Sequence, residues 1–196
     1  MRAFVILGHK AALTPNFTLN DLPGSAGRLD VLCRCVNASL FLSHDLRRDV
    51  EVYLSLQDQL TIHISGERVK RLNPDERSTG ALIKKALQKI QNHSDAKPVR
   101  SSPGITIFRQ SFTELISALK EAQFEPVLLH ENKPALREAP LPEKPAFILS
   151  DHMDFTASEL NLLQGALQLS VGPKVYPASH CIIMVNNELD LRSEQA

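Results

Sequence analysis

The sequence predicts an α/β fold in which a mostly parallel sheet is covered by helices. Short apolar runs end at chain breakers, first at residues 3–7 before Gly8 and again at residues 147–149 before Ser150. Such runs are too short for helices and rich in β-branched residues, which is typical of strands buried on both faces. Residues 28–43 instead carry apolar side chains three and four positions apart. That spacing predicts a helix with one buried face.

Length and composition limit the class of protein. The chain has 196 residues with 43% hydrophobic content, enough for one domain with a substantial core. The 22 basic and 22 acidic residues cancel, so an RNA site would have to be a local basic patch. No apolar run reaches the roughly 18 residues of a membrane span, and the N-terminus does not resemble a signal peptide. We therefore expect a cytoplasmic protein without a membrane segment.

The N-terminal half is predicted to contain a strand, a helix, a hairpin and a second helix. These cover residues 3–7, 28–43, 50–64 and 80–92, with the hairpin turning at Gln57-Asp58-Gln59. Residues 93–103 contain two prolines and three serines, which predicts a loop or linker.

The C-terminal half begins with a predicted strand, helix and strand at residues 105–108, 111–123 and 126–129. Four prolines within residues 134–145 predict an extended surface loop. A covering helix is predicted for residues 156–165, with Thr156 as N-cap and Glu159 in capping-box spacing. The apolar runs at residues 167–171 and 181–185 are interpreted as further strands.

Three cysteines, Cys33, Cys35 and Cys181, cannot all pair with one another. The single residue between Cys33 and Cys35 is not the two-residue gap of a zinc or thioredoxin motif. We expect free thiols, at least two of them packed in the core, and no metal site.

Charged residues are concentrated in and after the first predicted helix. Because the same stretch has a strongly apolar helix face, the charged side chains should cluster on its other side. They could equally be helix caps and salt bridges, and Asp30 could be a first-turn acid favoured by the helix dipole. The residues are Arg28, Asp30, Arg34, His44, Arg47, Arg48 and Asp49.

Two further features have both a functional and an ordinary interpretation. Gly172-Pro173 follows an apolar run, and the carboxyl ends of parallel strands are where small ligands bind in open α/β sheets. The same dipeptide is also common in simple turns. Lys84, Lys85 and Lys89 form a basic helix face, a pattern more typical of a solvated surface than of a binding site.

Several motifs together resemble one family over nearly the whole chain. They are Met1 to Lys10, Asp21-Leu22-Pro23-Gly24, Gly27 to Arg34, Ser43-His44, Leu169 to Pro173 and Ser179-His180-Cys181. The sequence is identified by them as similar to the TrmY family of tRNA pseudouridine N1-methyltransferases, which belong to the SPOUT class.

The resemblance implies a SPOUT-type α/β knot, in which the C-terminal chain is tucked through a loop as a trefoil knot. It implies one domain over residues 1–196, with an N-terminal extension and hairpin at about 1–100 and a knotted, cofactor-binding part at about 104–196. The expected cofactor is S-adenosylmethionine and the expected partners are tRNA and a second copy of the chain. The modified nucleotide in the family is position 54 of the T loop.

The resemblance also assigns site residues. Cofactor-binding positions are expected at Leu128, Leu129, Ser150, Leu169, Val171, Gly172, Pro173, Ser179 and Cys181, with Cys181 at the start of a strand. Arg28 and Arg34 would stabilise a developing anion or hold a phosphate, and Asp30 would accept a proton or hydrogen-bond the base. RNA is expected to contact Arg28, Arg34, Arg47 and Arg48.

Two departures from the family pattern stand at Ser150, where glycine is frequent, and at residues 174–178, which are less leucine-rich than expected. They could mark a bacterial variant of the family, in which the modified nucleotide is less certain than in archaeal members. Two alternatives also stay open: a SPOUT methyltransferase acting on ribosomal RNA, and a non-catalytic RNA-binding or assembly protein that retains the knot.

Overall fold

A computed structural model describes residues 1–93, 95 and 97–194. Within those residues, eight strands form one sheet. The strands are β1 (Arg2–Gly8), β2 (Val50–Leu56), β3 (Leu60–Ser65), β4 (Val99–Ser102), β5 (Ile105–Arg109), β6 (Glu125–Leu129), β7 (Pro145–Ser150) and β8 (Leu167–Leu169). The helices are α1 (Leu22–Ser25), α2 (Leu29–Leu40), α3 (Glu76–Gln91), α4 (Phe112–Glu121), α5 (Ala157–Leu162) and α6 (Ala178–Glu194).

The strand order is β4-β5-β3-β2-β1-β7-β6-β8. Strands β2, β1, β7, β6 and β8 are parallel, whereas β3, β5 and β4 add an antiparallel extension. The predicted α/β class with a mostly parallel sheet is confirmed, as is the hairpin formed by β2 and β3. Strand β1 lies at the centre between β2 and β7, so one sheet contains strands from both halves of the chain.

Helices cover both faces of the sheet. Phe4 and Ile6 of β1 point into a large core built with α2, α3 and α6. Val5 and Leu7 point the other way, into a smaller core built with α4. This alternation follows from the two-residue period of a strand, and it explains why β1 is apolar at consecutive positions.

The prediction of a strand at residues 181–185 is wrong, because these residues lie within α6. Ile182 and Val185 are fully buried, whereas Ile183 is 54% exposed, which is helical spacing. A short apolar run does not by itself separate a strand from a buried helix. The deciding signal lies beyond the run, where Leu189 continues the apolar face against the core. Cys181 consequently sits in the first turns of a helix and not at the start of a strand.

Three smaller expectations also need correction. The predicted covering helix shortens to α5, which has its full capping box but no buried residue. The predicted loop at residues 93–103 contains strand β4, while residues 94 and 96 of that loop lie outside the described part of the chain. The proline-rich loop at 134–145 is not purely superficial, because a 3-10 turn at Leu136–Glu138 buries Leu136.

The turn before α2 depends on Gly27. Its φ is +61°, and a Cβ placed there would lie 1.7 Å from the backbone carbonyl oxygen of Lys10. Arg28 follows, also left-handed, with φ +64°. The loop after β1 is therefore in direct backbone contact with the turn that presents Arg28.

We predict that Gly27→Ala lowers the free energy of unfolding by more than about 3 kcal/mol, since the clash adds to the ~1–2 kcal/mol cost of a left-handed alanine. Gly165→Ala is the matched control, because Gly165 also has positive φ (+84°) but a Cβ added there would meet no atom within 4 Å. Urea denaturation of both variants measures the difference. Equal losses would show that the Lys10 contact does not restrict residue 27.

Candidate functional site

A cavity of about 490 Å³ opens at the carboxyl ends of β6 and β7, and we call it the strand-end cavity. Its walls come from the loops after these strands and from the segment that leads into α6. The lining segments are residues 129–131, 149–155, 170–171 and 174–178, together with Leu160 and Cys181. Its position agrees with the general rule for ligand sites in open parallel sheets.

Backbone hydrogen bonds hold these loops together. The His130 amide donates to the Leu169 carbonyl at 3.0 Å, which joins the loops after β6 and β8. The Ser170 amide donates to the Pro134 carbonyl and the Leu136 amide donates to the Ser170 carbonyl, both at 2.8 Å. Ser170 Oγ closes a tight turn by donating to the Gly172 carbonyl at 2.8 Å. The cavity is therefore largely formed by the fold itself.

The structure brings part of the predicted cofactor set together. Leu129, Ser150, Val171 and Cys181 line the strand-end cavity. Gly172 and Pro173, with Val171, line an adjoining cavity of about 780 Å³ beside α6. The others are buried: Leu128 lies in the α4-side core and Leu169 in the larger core, and Ser179 is in the first turn of α6.

Arg28, Asp30 and Arg34 do meet, at the start of α2, and we call them with Glu76 the Arg28 cluster. Asp30 is 2% exposed. Its carboxylate accepts two hydrogen bonds from Arg28, at 3.0 and 3.1 Å, and one from Arg34 at 2.9 Å. Arg34 also donates to Glu76 at 3.0 Å. About 40% of each guanidinium-bearing side chain stays exposed, so both arginines can still face a ligand.

The pKa of Asp30 distinguishes between its two predicted roles, proton acceptor and hydrogen-bond acceptor. Burial by itself would raise the pKa of this carboxyl, but the hydrogen bonds from Arg28 and Arg34 outweigh burial and lower it. A carboxylate with a lowered pKa is a weak proton acceptor. The contacts favour the hydrogen-bonding role, in which Asp30 fixes the orientation of both arginines.

The other predicted RNA contacts differ in availability. Arg47 makes a bidentate pair with Asp190 of α6, and its side chain is only 14% exposed. Arg48 is half exposed and bonds to Asp45 and the Gly66 carbonyl. On the basic helix face formed by Lys84, Lys85 and Lys89, the Lys84 ammonium lies over the Phe17 ring and Lys89 donates to the Arg100 carbonyl.

Sequence reasoning missed a second charged group, formed by His9, Asp151 and Glu159. The two ring nitrogens of His9 lie 2.9 Å from Asp151 Oδ1 and 3.1 Å from Glu159 Oε2. The side chain of Asp151 is fully buried although it lines the cavity. Its place directly after β7, and that of His9 directly after β1, were the available signal, because parallel neighbouring strands end at the same edge.

Within the described ranges, no helix is long and apolar enough to cross a membrane. Across the same residues, no group of three or more His, Cys, Asp or Glu side chains is arranged to hold a metal ion. Cys33, Cys35 and Cys181 are free thiols, as expected, with the first two buried.

Comparisons with known proteins identify the family to which the chain is similar. A family model described as "Putative SAM-dependent RNA methyltransferase" matches residues 1–194. The tRNA (pseudouridine(54)-N(1))-methyltransferase of Methanocorpusculum labreanum is 50% identical, with 100% of both chains covered. The enzyme of the same name from Haloferax volcanii is 48% identical over 97% of this chain and 96% of its own.

A solved structure shares the fold at low sequence identity. Archaeoglobus fulgidus Nep1, in a crystal structure bound to S-adenosylhomocysteine, matches with a TM-score of 0.67 and 16% identity. The match covers 96% of this chain and 97% of that one.

Proposed function

This chain belongs to the SAM-dependent RNA methyltransferase family, and we propose that it transfers the methyl group of S-adenosylmethionine to N1 of pseudouridine 54 in tRNA. The observation that carries the proposal is the pairing of two sites at one sheet edge: the strand-end cavity and the partly exposed arginines of the Arg28 cluster. The two relatives named above are, by their names, methyltransferases of that nucleotide. Their similarity to this chain extends over essentially its full length.

The strand-end cavity fits the cofactor in size and chemistry. Its volume of about 490 Å³ lies in the range of small-molecule sites. Leu129, Leu149 and Val171 supply apolar wall for a purine ring, while Glu131 and Asp154 supply negative charge for cationic groups. When bound, S-adenosylmethionine supplies an activated methyl group on a sulfonium. Val171 lines this cavity, and Gly172 and Pro173 line the adjoining cavity beside α6; we propose that all three contact the cofactor together with Leu129, Ser150 and Cys181.

We predict that Gly172→Trp abolishes binding of S-adenosylmethionine. A Cβ at residue 172 would already lie 3.1 Å from the Tyr176 ring, so a bulky side chain must displace Tyr176, which lines the cavity. Gly165→Trp is the control, because residue 165 faces open space. Isothermal calorimetry with the cofactor measures both. Normal binding by Gly172→Trp would show that the cofactor lies elsewhere.

The Arg28 cluster suits the base that is modified. N1 of pseudouridine must lose its proton as the methyl group arrives, so negative charge develops on the base. Two guanidiniums oriented by Asp30 are placed to stabilise that charge or to hold the adjoining phosphate. We infer that Arg28 and Arg34 contact the RNA, with Arg48 at the margin, and that Arg47 acts chiefly through its pair with Asp190.

We predict methyl transfer to tRNA that carries pseudouridine 54 and none to the same tRNA with uridine 54, because N1 of uridine is bonded to the ribose. Mass spectrometry of the digested tRNA identifies the product. Arg34→Ala should reduce transfer and lower the slope of log affinity against log salt by about 1, with cofactor binding unchanged. Methylation of ribosomal RNA instead of tRNA would support the ribosomal RNA methyltransferase. Methylation of neither RNA would support the non-catalytic RNA-binding or assembly protein.

A homodimer is the second part of the proposal. The outer face of α6 exposes Ile183 (54%) and Leu191 (47%), and the adjacent loop exposes Val175 (79%). This face borders the cavity lined by Gly172 and Pro173. A second copy covering it would bury apolar surface and enclose one side of the cofactor site. It would also double the basic surface available to RNA from a chain of zero net charge.

We predict sedimentation at twice the 21.8 kDa chain mass at micromolar concentration, and a shift to the monomer mass in Ile183→Glu. Leu162→Glu, at a leucine 39% exposed on α5, is the control and should stay dimeric. A wild-type monomer at this concentration would contradict the dimer.

Two further parts of the proposal concern topology and location. The segment after β8 is hydrogen-bonded to the loop at Pro134 and Leu136, which supports a knotted path, and the trefoil knot stays a prediction. Because its proposed substrate is tRNA, we place the enzyme in the cytoplasm.

A further inference from the structure

His9 connects the two parts of the proposed active site. It follows β1 directly, and its backbone amide donates to Asp151 Oδ2 at 3.0 Å. The Nδ1 atom lies 2.9 Å from Asp151 Oδ1, in the loop after β7, and Nε2 lies 3.1 Å from Glu159 Oε2, in the first turn of α5. Three segments therefore meet at one imidazole ring.

The geometry favours a protonated ring. A neutral imidazole has one N–H donor and one lone pair, so one carboxylate oxygen would face a lone pair of the ring. An imidazolium donates to both. Burial lowers the pKa of His9, but the hydrogen bonds to Asp151 and Glu159 outweigh burial and raise it. The charged groups around the ring are these two carboxylates, with His152 3.4 Å from Asp151 and Arg28 interacting with Asp151 through its charge.

Asp151 and the residues that follow His9 each contact a segment of the proposed active site. Asp151 Oδ1 also accepts from the Met153 amide at 2.9 Å, which shapes the loop that lines the strand-end cavity. On the other side, the residues that follow His9 support the Arg28 turn. The Ala12 amide donates to the Ala26 carbonyl at 3.1 Å, and Gly27 packs against the Lys10 carbonyl.

We propose that protonated His9 is a positioning residue, which holds the cofactor-side loop at residues 151–155 in a fixed place relative to the Arg28 turn. The proposal rests on the function proposed above. Methyl transfer needs the two reactants in line, and a displacement near 1 Å between their sites costs about 100-fold in rate. The bridge forms at low pH and weakens as the pH rises through the pKa of His9.

The test compares His9→Gln with the wild type from pH 6 to pH 9. Glutamine keeps one donor and loses the charge. We expect its kcat for tRNA methylation at pH 6 to fall 10- to 100-fold, with KM for tRNA within about threefold. The wild-type to variant ratio of kcat should approach 1 at high pH, since the pH dependence of the chemistry itself cancels in the ratio.

His63→Gln is the matched control. His63 pairs with Glu51 at 2.5 Å on the antiparallel side of the sheet, away from both parts of the site. Its loss should leave the ratio at 1 throughout. An unchanged kcat in His9→Gln, or a reduced kcat whose ratio to wild type is constant with pH, would overturn the proposal.

Two measurements without turnover separate this proposal from the proposed reaction. Calorimetry with S-adenosylhomocysteine should show a wild-type to His9→Gln affinity ratio of at least 3 at pH 6 that declines toward 1 by pH 9. NMR titration should place the His9 pKa above the ordinary 6.5, and lower in Glu159→Gln. If the wild type binds in this pH-dependent way but methylates no tRNA, the proposed reaction fails and the bridge stands. A pH-independent affinity ratio, or a His9 pKa at or below 6.5, refutes the bridge.

Discussion

The hydrogen bonding of β1 on both edges is the constraint on which the rest of the structure depends. All seven residues from Arg2 to Gly8 pair with β2, and residues 3–7 pair with β7. Every one of the seven is buried. A strand fixed in this way delivers the residue after it, His9, to the end of β7 with little freedom. The N-terminal end is fixed as well, because the Arg2 guanidinium contacts Asp49 and Asp190.

Charge is used differently in the two halves of the proposed site. In the Arg28 cluster one buried carboxylate organises two cations, and the cations keep an exposed side. Around His9 two carboxylates organise one cation, which is almost covered, at 12% exposure. Buried ions require such partners, since an unpaired buried charge is costly. The first arrangement therefore suits contact with a ligand, and the second suits the support of other segments.

The fold was predictable to the extent that local patterns decide it. The apolar run before Gly8, the spacing within α2 and the Thr156 capping box each specify their element without reference to the rest of the chain. The run at residues 181–185 does not, because five consecutive apolar residues fit both a strand and a buried helix, and the helix is indicated only by Leu189 beyond the run and by packing against the core. Strand β4 has the mostly polar sequence Val99-Arg100-Ser101-Ser102 within the predicted loop, and its pairing with β5 was not revealed by any local apolar pattern.

The site was predictable where its residues lie close in sequence. Asp30 and Arg34 lie one turn apart on α2 and meet as the spacing predicts, and Arg28 reaches Asp30 from the N-cap position. His9 and Asp151 are 142 positions apart, and their contact depends on β1 and β7 being neighbours, which no local pattern encodes. The family resemblance located the cavity loops, but Leu128 and Leu169 show that a matched motif does not tell which side chains face the cavity.

The central position of β1 also affects the order in which the chain can fold during synthesis. Ala3 pairs with Ala146, a separation of 143 residues, whereas β2 is made soon after β1. At about 5–20 residues per second, a ribosome needs roughly 7–30 s to make that intervening length. For this time one edge of an apolar strand has no partner. Contacts of such high sequence separation slow folding and leave strand edges open to aggregation, so the nascent N-terminal half is exposed to non-native pairing until β7 has been made.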